Sequence, residues 1–295
     1  VKPPAFHYHD PRTVSDVVAL LAECENAKLL AGGQSLMPML NMRYVLPDDV
    51  IDLNKVDALS FLRKAGGVLE VGAMTRQREL EYSDSVARSC PLMREAILNV
   101  GHRQTRNRGT LAGSLCHLDP SAELVSVATA MGAIVHVAGP KGERKLDFAD
   151  FPFGYMMPSI EADELVTQVD FPCWPAGHGF SFVEFARRHG DFAIASVAVL
   201  LEKDDGGTIK RAALALGGVA PVPVLMREVE EILVGQPAGE DLFRAAGEVC
   251  RKVEAVEDAN APSAYRQHLA AVLCRRALTI ADVRMSKIPK LGNHA

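Results

Sequence analysis

The sequence predicts an α+β protein of three folded units, and three observations predict it. A strand–helix–strand run fills roughly the first 55 residues. Two glycine-turned hairpins with an apolar helix between them occupy the middle. Three strand-like runs followed by three helical stretches close the chain. A length of 295 residues accommodates this, since domains commonly span about 100–200 residues.

The first unit is expected at 1–55. Thr13 and Asp16 form a capping-box arrangement ahead of a helix at 14–23. A short strand at 28–31 runs into Gly32-Gly33, a helix starts at 35–43 with Pro38 tolerable in its first turn, and 50–53 is the next strand. The second unit is expected at 56–175. Gly66-Gly67 between apolar runs signals a hairpin, 75–82 and 92–100 read as helices, and a second glycine-bearing loop spans 101–120. A strong apolar helix at 121–131, a hairpin turning through 139–142 and a strand at 165–169 complete it. Pro172, Pro175, Gly177 and Gly179 mark a boundary. The third unit, 176–287, is an α+β domain with a small antiparallel sheet (strands at 180–185, 195–201 and 210–216) and helices at 224–233, 240–256 and 263–285. A polar tail at 288–295 follows.

Composition excludes several function classes. With 48% hydrophobic and 23% charged residues and a formal net charge of −5, the chain has no basic arm for nucleic acid. No apolar run approaches the ~20 residues of a membrane span, and the first residues lack a signal-peptide core, so a cytoplasmic protein is expected. Six cysteines at 24, 90, 116, 173, 250 and 274 match neither zinc nor iron–sulfur spacing. No metal site is expected; Cys116 stands out only for lying beside a glycine loop.

Two segments carry chemistry. In Leu29-Leu30-Ala31-Gly32-Gly33-Gln34-Ser35-Leu36, a strand ends in glycines and a helix begins. The stretch 106–114 contains Arg106 and Arg108 and then Thr110-Leu111-Ala112-Gly113-Ser114. Glycine lets backbone N–H groups approach a diphosphate, and a helix start adds donors. Four to six charge-assisted bonds of roughly 1.5–3 kcal/mol each could supply most of the ~12 kcal/mol of nanomolar binding. Taken singly, each loop reads more readily as a plain turn, and no Gly-x-Gly-x-x-Gly follows a strand.

Together, Ala-Gly-Gly-Gln-Ser at 31–35 and Arg-Asn-Arg-Gly-Thr-x-x-Gly-Ser at 106–114 resemble the FAD-binding medium subunit of the molybdenum hydroxylases. Phe6-x-Tyr8, Val71-Gly72-Ala73-Met74-Thr75, His117-x-Asp119-Pro120 and Gly190-Asp191-Phe192-Ala193 extend the resemblance along the chain. It implies a two-lobed FAD-binding domain of the PCMH, vanillyl-alcohol-oxidase-like type, then a C-terminal α+β domain. The flavin would be clamped between the lobes with the third unit closing over its ring. The implied partners are a large subunit with the molybdopterin cofactor and a small subunit with two 2Fe–2S clusters, in a dimer of heterotrimers. Electrons would pass through FAD to an external acceptor, and this chain holds no catalytic acid, base or nucleophile.

Residue by residue, Leu29 to Leu36 and Thr110 to Ser114 fall on the two loops that hold the pyrophosphate, and Glu123 on a carboxylate that binds the adenosine side. Val100 and Leu165 fall at apolar contacts, Asp119 in the motif after the second loop, and Asp191 and Phe192 beside the isoalloxazine. From the residues alone, Glu123 reads equally as a helix-start acid, and Val100 and Leu165 as core. His102, His117 and His189 read as hydrogen-bonding or surface groups. Ala112 departs from the family's glycine, Phe192 from its tyrosine, and Val183-Glu184 from its lysine, with Arg187 and Arg188 as substitutes. The wording around 102–110 and 117–123 leans toward N-heteroaromatic substrates. A self-contained flavin oxidase and a non-enzymatic assembly subunit are the competing readings.

Overall fold

The protein is described by a computed structural model covering residues 2–286; the expected tail at 288–295 lies outside the described residues. The chain forms two compact units. One comprises Val1–Cys90, Ile97–Asp119 and Gly132–Cys173, the other Pro91–Ala96, Pro120–Met131 and Trp174–Ala295.

The first unit opens with β1 (His7–His9), α1 (Val14–Glu23), β2 (Ala27–Leu30), α2 (Leu36–Met42) and β3 (Asp49–Asp52). The three strands form a parallel sheet in the order β1-β3-β2. Thr13 caps α1 by accepting from the Asp16 N–H at 3.1 Å, as its sequence position predicts, and Val17 and Leu21 are buried on one face. Pro38 sits in the first turn of α2, where its missing N–H costs nothing. Arg43 ends that helix in the left-handed region at φ 60°.

Next come β4 (Leu62–Ala65) and β5 (Val68–Gly72), turned by Gly66 and Gly67 at φ 52° and 82°, the positive-φ pair that a two-residue hairpin requires. Six helices follow: α3 (Gln77–Tyr82), α4 (Asp84–Ser89), α5 (Pro91–Ile97), α6 (Arg103–Arg108), α7 (Leu111–His117) and α8 (Glu123–Met131). The expected loop at 101–120 is therefore mostly helix. Gly109 stops α6 by donating to the Thr105 carbonyl, and Thr110 restarts the chain as the cap of α7. The strands β6 (Ile134–Gly139), β7 (Gly142–Asp147), β8 (Pro152–Gly154), β9 (Met157–Pro158) and β10 (Leu165–Pro172) complete this part. An antiparallel sheet of order β4-β5-β10-β6-β7 results, with Val71, Val135 and Val169 buried in it.

Besides α8 and most of α5, the second unit holds β11 (Gly179–Phe185), β12 (Ala195–Lys203), β13 (Ile209–Gly217) and β14 (Val224–Leu225), then α9 (Arg227–Leu233), α10 (Glu240–Cys250) and α11 (Ser263–Ser286). The strands form one antiparallel sheet in chain order. Val197, Val199, Leu214 and Leu216 share its core with Phe243, Leu273 and Leu278 of the helices. Two expected helices are shorter than their periodicity suggested. Val224 and Leu225 extend the sheet by pairing with β13, so the helix starts only at Arg227. After Cys250 the chain tightens into single turns, with Lys252 and Val253 each donating three residues back.

Candidate functional site

Both glycine segments lie in the first unit, and the fold brings them into backbone contact. Leu29 and Leu30 end β2, both half-buried, and Ala31 carries the chain off the sheet. Gly32 then passes so close to the second segment that an added Cβ would lie 2.8 Å from the Gly109 Cα and closer still to the Arg108 carbonyl oxygen. Gly33, at φ 73°, takes a left-handed turn that a side chain would strain. The Gln34 amide donates to the Gly32 carbonyl at 3.2 Å, and Ser35 precedes α2 without its side chain capping the helix. With seven residues, α2 contributes little macrodipole, so the first loop offers chiefly its turned backbone and the start of Leu36.

The second segment differs from its sequence reading. Leu111 N–H donates to the Thr75 carbonyl at 3.0 Å and Ala112 N–H to Ala73 at 3.1 Å. Gly113 N–H goes to the buried Thr110 hydroxyl at 3.1 Å, and Ser114 N–H to the Thr110 carbonyl at 3.3 Å. These four backbone donors are spent within the protein. A Cβ at Gly113 would clash with the Thr110 hydroxyl at 2.6 Å and touch the Ala31 Cβ at 3.5 Å, so glycine there lets the two segments pack together. Ala112 lies within α7 and outside the positive-φ residues, so alanine carries no backbone penalty.

Of the two guanidinium groups in the second segment, that of Arg106 is buried, with Nε 2.9 Å from Glu81 and Nη1 donating to the Val100 carbonyl at 3.0 Å. Its charge is already matched. Two residues that sequence reasoning missed take over: Arg76 donates to both the Arg108 carbonyl and Asn54 Oδ1, while Asn54 Nδ2 donates to the Ala31 carbonyl at 3.0 Å. This chain of contacts ties the first loop to the second. Asp52 holds Asn54 and also accepts from the Tyr8 hydroxyl at 2.7 Å, which gives the Phe6-x-Tyr8 motif its role. Burial, then the charge of Arg108, holds the Arg76 guanidinium below its usual value. Two cations that repel each other therefore flank the loop junction, which suits a dianionic group.

The remaining expected residues divide between the units. Val100, Asp119 and Leu165 belong to the first, Leu165 as a buried member of β10 and Asp119 beside His117. Burial lowers the His117 pKa, favouring a neutral ring. Burial likewise pushes the Cys116 thiol up to about 12, so it is unreactive. Glu123, Asp191 and Phe192 belong to the second unit. Glu123 is buried in the first turn of α8. Asp191 and Phe192 border a cleft of about 450 Å³ with Arg187, Arg188 and Arg266, and Phe192 is 72% exposed there.

A family model described as the FAD binding domain in molybdopterin dehydrogenase matches residues 4–174, which hold both loops and the junction residues Asn54 and Arg76. The chain belongs to that family. It is an FAD-binding oxidoreductase subunit. A second model, the carbon monoxide dehydrogenase flavoprotein C-terminal domain, matches 180–281. The caffeine dehydrogenase subunit beta of Pseudomonas sp. CBB1 is 36% identical, covering 97% of each chain. The nicotine 6-hydroxylase medium subunit of Paenarthrobacter nicotinovorans is 35% identical over 96% of this chain and all of that one. A chain of the solved carbon monoxide dehydrogenase of Hydrogenophaga pseudoflava superposes with a TM-score of 0.94 at 34% identity, covering 96% of this chain and 99% of that one. One to two points of identity do not separate N-heteroaromatic from carbon monoxide enzymes.

Where the family's lysine was expected, β11 carries Glu184, whose Oε2 is buried without a hydrogen-bond partner. Burial pushes its pKa up to about 7. A folded pKa above the unfolded value means a penalty that is absent below about pH 4.3, grows through the interval and is full above pH 7. Glu184→Gln is expected to raise Tm at pH 8, by about 2–4 °C per kcal/mol recovered, and to leave it unchanged at pH 4. Equal gains at both values would refute the assignment.

Proposed function

We propose that this chain is the flavin subunit of a heteromeric molybdenum hydroxylase, with the FAD diphosphate lodged where residues 29–36 meet 108–114. The contact of Gly32 with the Arg108–Gly109 backbone, flanked by Arg76 and Arg108, carries this reading. Bare glycine lets the loops close to backbone distance, and the two guanidinium groups supply the field that a diphosphate lacks once out of water. FAD, when bound, supplies the redox chemistry, accepting electrons singly and passing them on. The chain's own residues bind and orient. Asn54 and Arg76 hold the loops in register, Gly33 turns the backbone, and Val100 and Leu165 attend the ring.

In this reading 1–55 and 56–175 are the two FAD-binding lobes and 176–287 is the C-terminal domain. The electrons come from 2Fe–2S clusters on a small partner, the substrate is hydroxylated at molybdopterin on a large one, and the assembly is a dimer of heterotrimers. The complex is placed in the cytoplasm in this reading, and an N-heteroaromatic substrate fits the curated relatives named for caffeine and nicotine. No helix among the described residues is long and apolar enough to cross a membrane.

Purified full-length chain, incubated with FAD and desalted, is expected to retain one flavin per chain, and co-expression with the partner genes to yield a complex containing iron and molybdenum. A folded chain that takes up no FAD would overturn the flavin site. Turnover of an organic substrate by the chain alone would overturn the electron-relay role.

A further inference from the structure

A second cluster of chemistry-bearing side chains sits at the opposite end of the parallel sheet. His7 and Asp49 are register partners across β1 and β3, and His9, two residues along β1, shares the face of His7. His9 Nε2 lies 2.7 Å from Asp49 Oδ1, and His7 Nδ1 lies 3.6 Å from the same oxygen. Cys24, the residue that caps α1, brings its sulfur to the same point: ligand atoms of His9, Cys24 and Asp49 all lie within 4.8 Å of one another. We propose that His7, His9, Cys24 and Asp49 form a structural zinc site that pins β1 to the sheet.

The donor set suits that ion. Two imidazoles, one thiolate and one carboxylate are nitrogen, sulfur and oxygen ligands of the kind zinc takes, whereas calcium and magnesium want oxygen alone. Thiolate and carboxylate together bring two negative charges, which a divalent cation cancels; the thiol proton leaves to solvent on coordination. Tetrahedral bonds of about 2.0–2.3 Å separate ligand atoms by roughly 3.3–3.8 Å. The His9–Asp49 hydrogen bond needs to open by less than an ångström; the exposed His7, 3.6 Å from Asp49 but outside the three ligand atoms that lie within 4.8 Å of one another, has to swing inward to complete the set. Asp49 and His9 are 16% and 29% exposed at the side chain, so the site is partly shielded.

Three-residue β1 lies at the edge of a three-stranded sheet, held by its pairing with β3 and the Tyr8–Asp52 hydrogen bond, and an ion would add a further anchor. The cluster marks the N-terminal end of β3, whose Asp49 pairs with Ala27, while the glycine loop leaves the C-terminal end of β2, where Leu30 pairs with Asp52. The two sites lie at opposite ends of the sheet, joined through the Tyr8–Asp52 hydrogen bond.

Full-length chain, or the complex if it purifies as one, is stripped with a chelator and dialysed against micromolar zinc. Metal is then counted by mass spectrometry, which distinguishes zinc from iron and molybdenum. One zinc per chain is expected, with slowed amide exchange at residues 7–9. The isosteric Cys24→Ser, and Cys24→Ser combined with His9→Gln, are expected to weaken zinc by more than the about 10–100-fold that losing an outer-shell partner costs, with the chain still folded by circular dichroism. Wild-type chain that binds no zinc, or binds it equally in the variants, or without slowing exchange at β1, would overturn the site.

Discussion

Gly32→Val is expected to abolish FAD retention while leaving the chain folded. A Cβ at this position falls 2.8 Å from the Gly109 Cα and 2.9 Å from the Arg108 carbonyl carbon, and both are backbone, so no side chain can rotate aside. The Arg108 carbonyl is also fixed from the other side by Arg76. The loops must separate, and each charge-assisted hydrogen bond to the diphosphate that is lost weakens binding by roughly 1.5–3 kcal/mol, one to two orders of magnitude. Three such losses, about 4.5–9 kcal/mol together, take a nanomolar site past the micromolar range. Gly154→Ala is the control, because a Cβ there meets nothing within 4 Å and its φ lies outside the left-handed region. The readout is flavin released by denaturation per folded chain. Full flavin in Gly32→Val would place the diphosphate elsewhere. Flavin lost equally in Gly154→Ala would point to a general loss of fold.

What the sequence made legible was local, and what it concealed was set by tertiary partners. The cap at Thr13, the Gly66-Gly67 turn and the strand-to-glycine passage at Leu30-Gly32 each rest on neighbours within a few residues, and each appears where expected. Helices α6 and α7, of six and seven residues, are too short for a periodic pattern to emerge, so their glycines made the segment look like a loop. Nothing near Arg106 reveals that Glu81, 25 residues earlier, claims its charge. Asn54 and Arg76 belong to no motif. A polar residue just past a strand end, and an arginine directly after the segment 71–75, were the only signals available. The His7, His9, Cys24 and Asp49 cluster fits no ligand spacing, because parallel pairing of β1 with β3, not sequence distance, assembles it.

Arg106→Leu is expected to cost the most stability of any single change near the site. Arg106 and Glu81 are 8% and 7% exposed, and removing Arg106 leaves the buried Glu81 carboxylate with Arg78 alone as its cationic partner, a loss toward the low end of the about 3–5 kcal/mol that breaking a buried pair costs. At about 2–4 °C per kcal/mol, Tm should fall by an amount toward the low end of roughly 6–20 °C. The Val100 carbonyl loses its donor as well, and α6 loosens just before the Arg108–Gly109 backbone that meets Gly32, so FAD affinity should fall with stability. Two controls separate a broken pair from lost packing. Combining Arg106→Leu with Glu81→Leu removes both charges and should recover much of the loss, since a buried ion pair replaced by apolar volume is often neutral. The acid limb of the stability curve should also change. Burial raises the Glu81 pKa, but hydrogen bonds from Arg106 and Arg78 outweigh it and hold the carboxyl below its ordinary value. That contribution is present above the unfolded pKa near 4.3 and is lost as pH falls through the lower folded value. Without Arg106 the depression shrinks, so the variant should lie closest to wild type in strong acid and furthest from it at neutral pH. A Tm deficit that is the same at pH 3 and pH 7, or a double variant no better than the single one, would mean that Arg106 acts by packing alone.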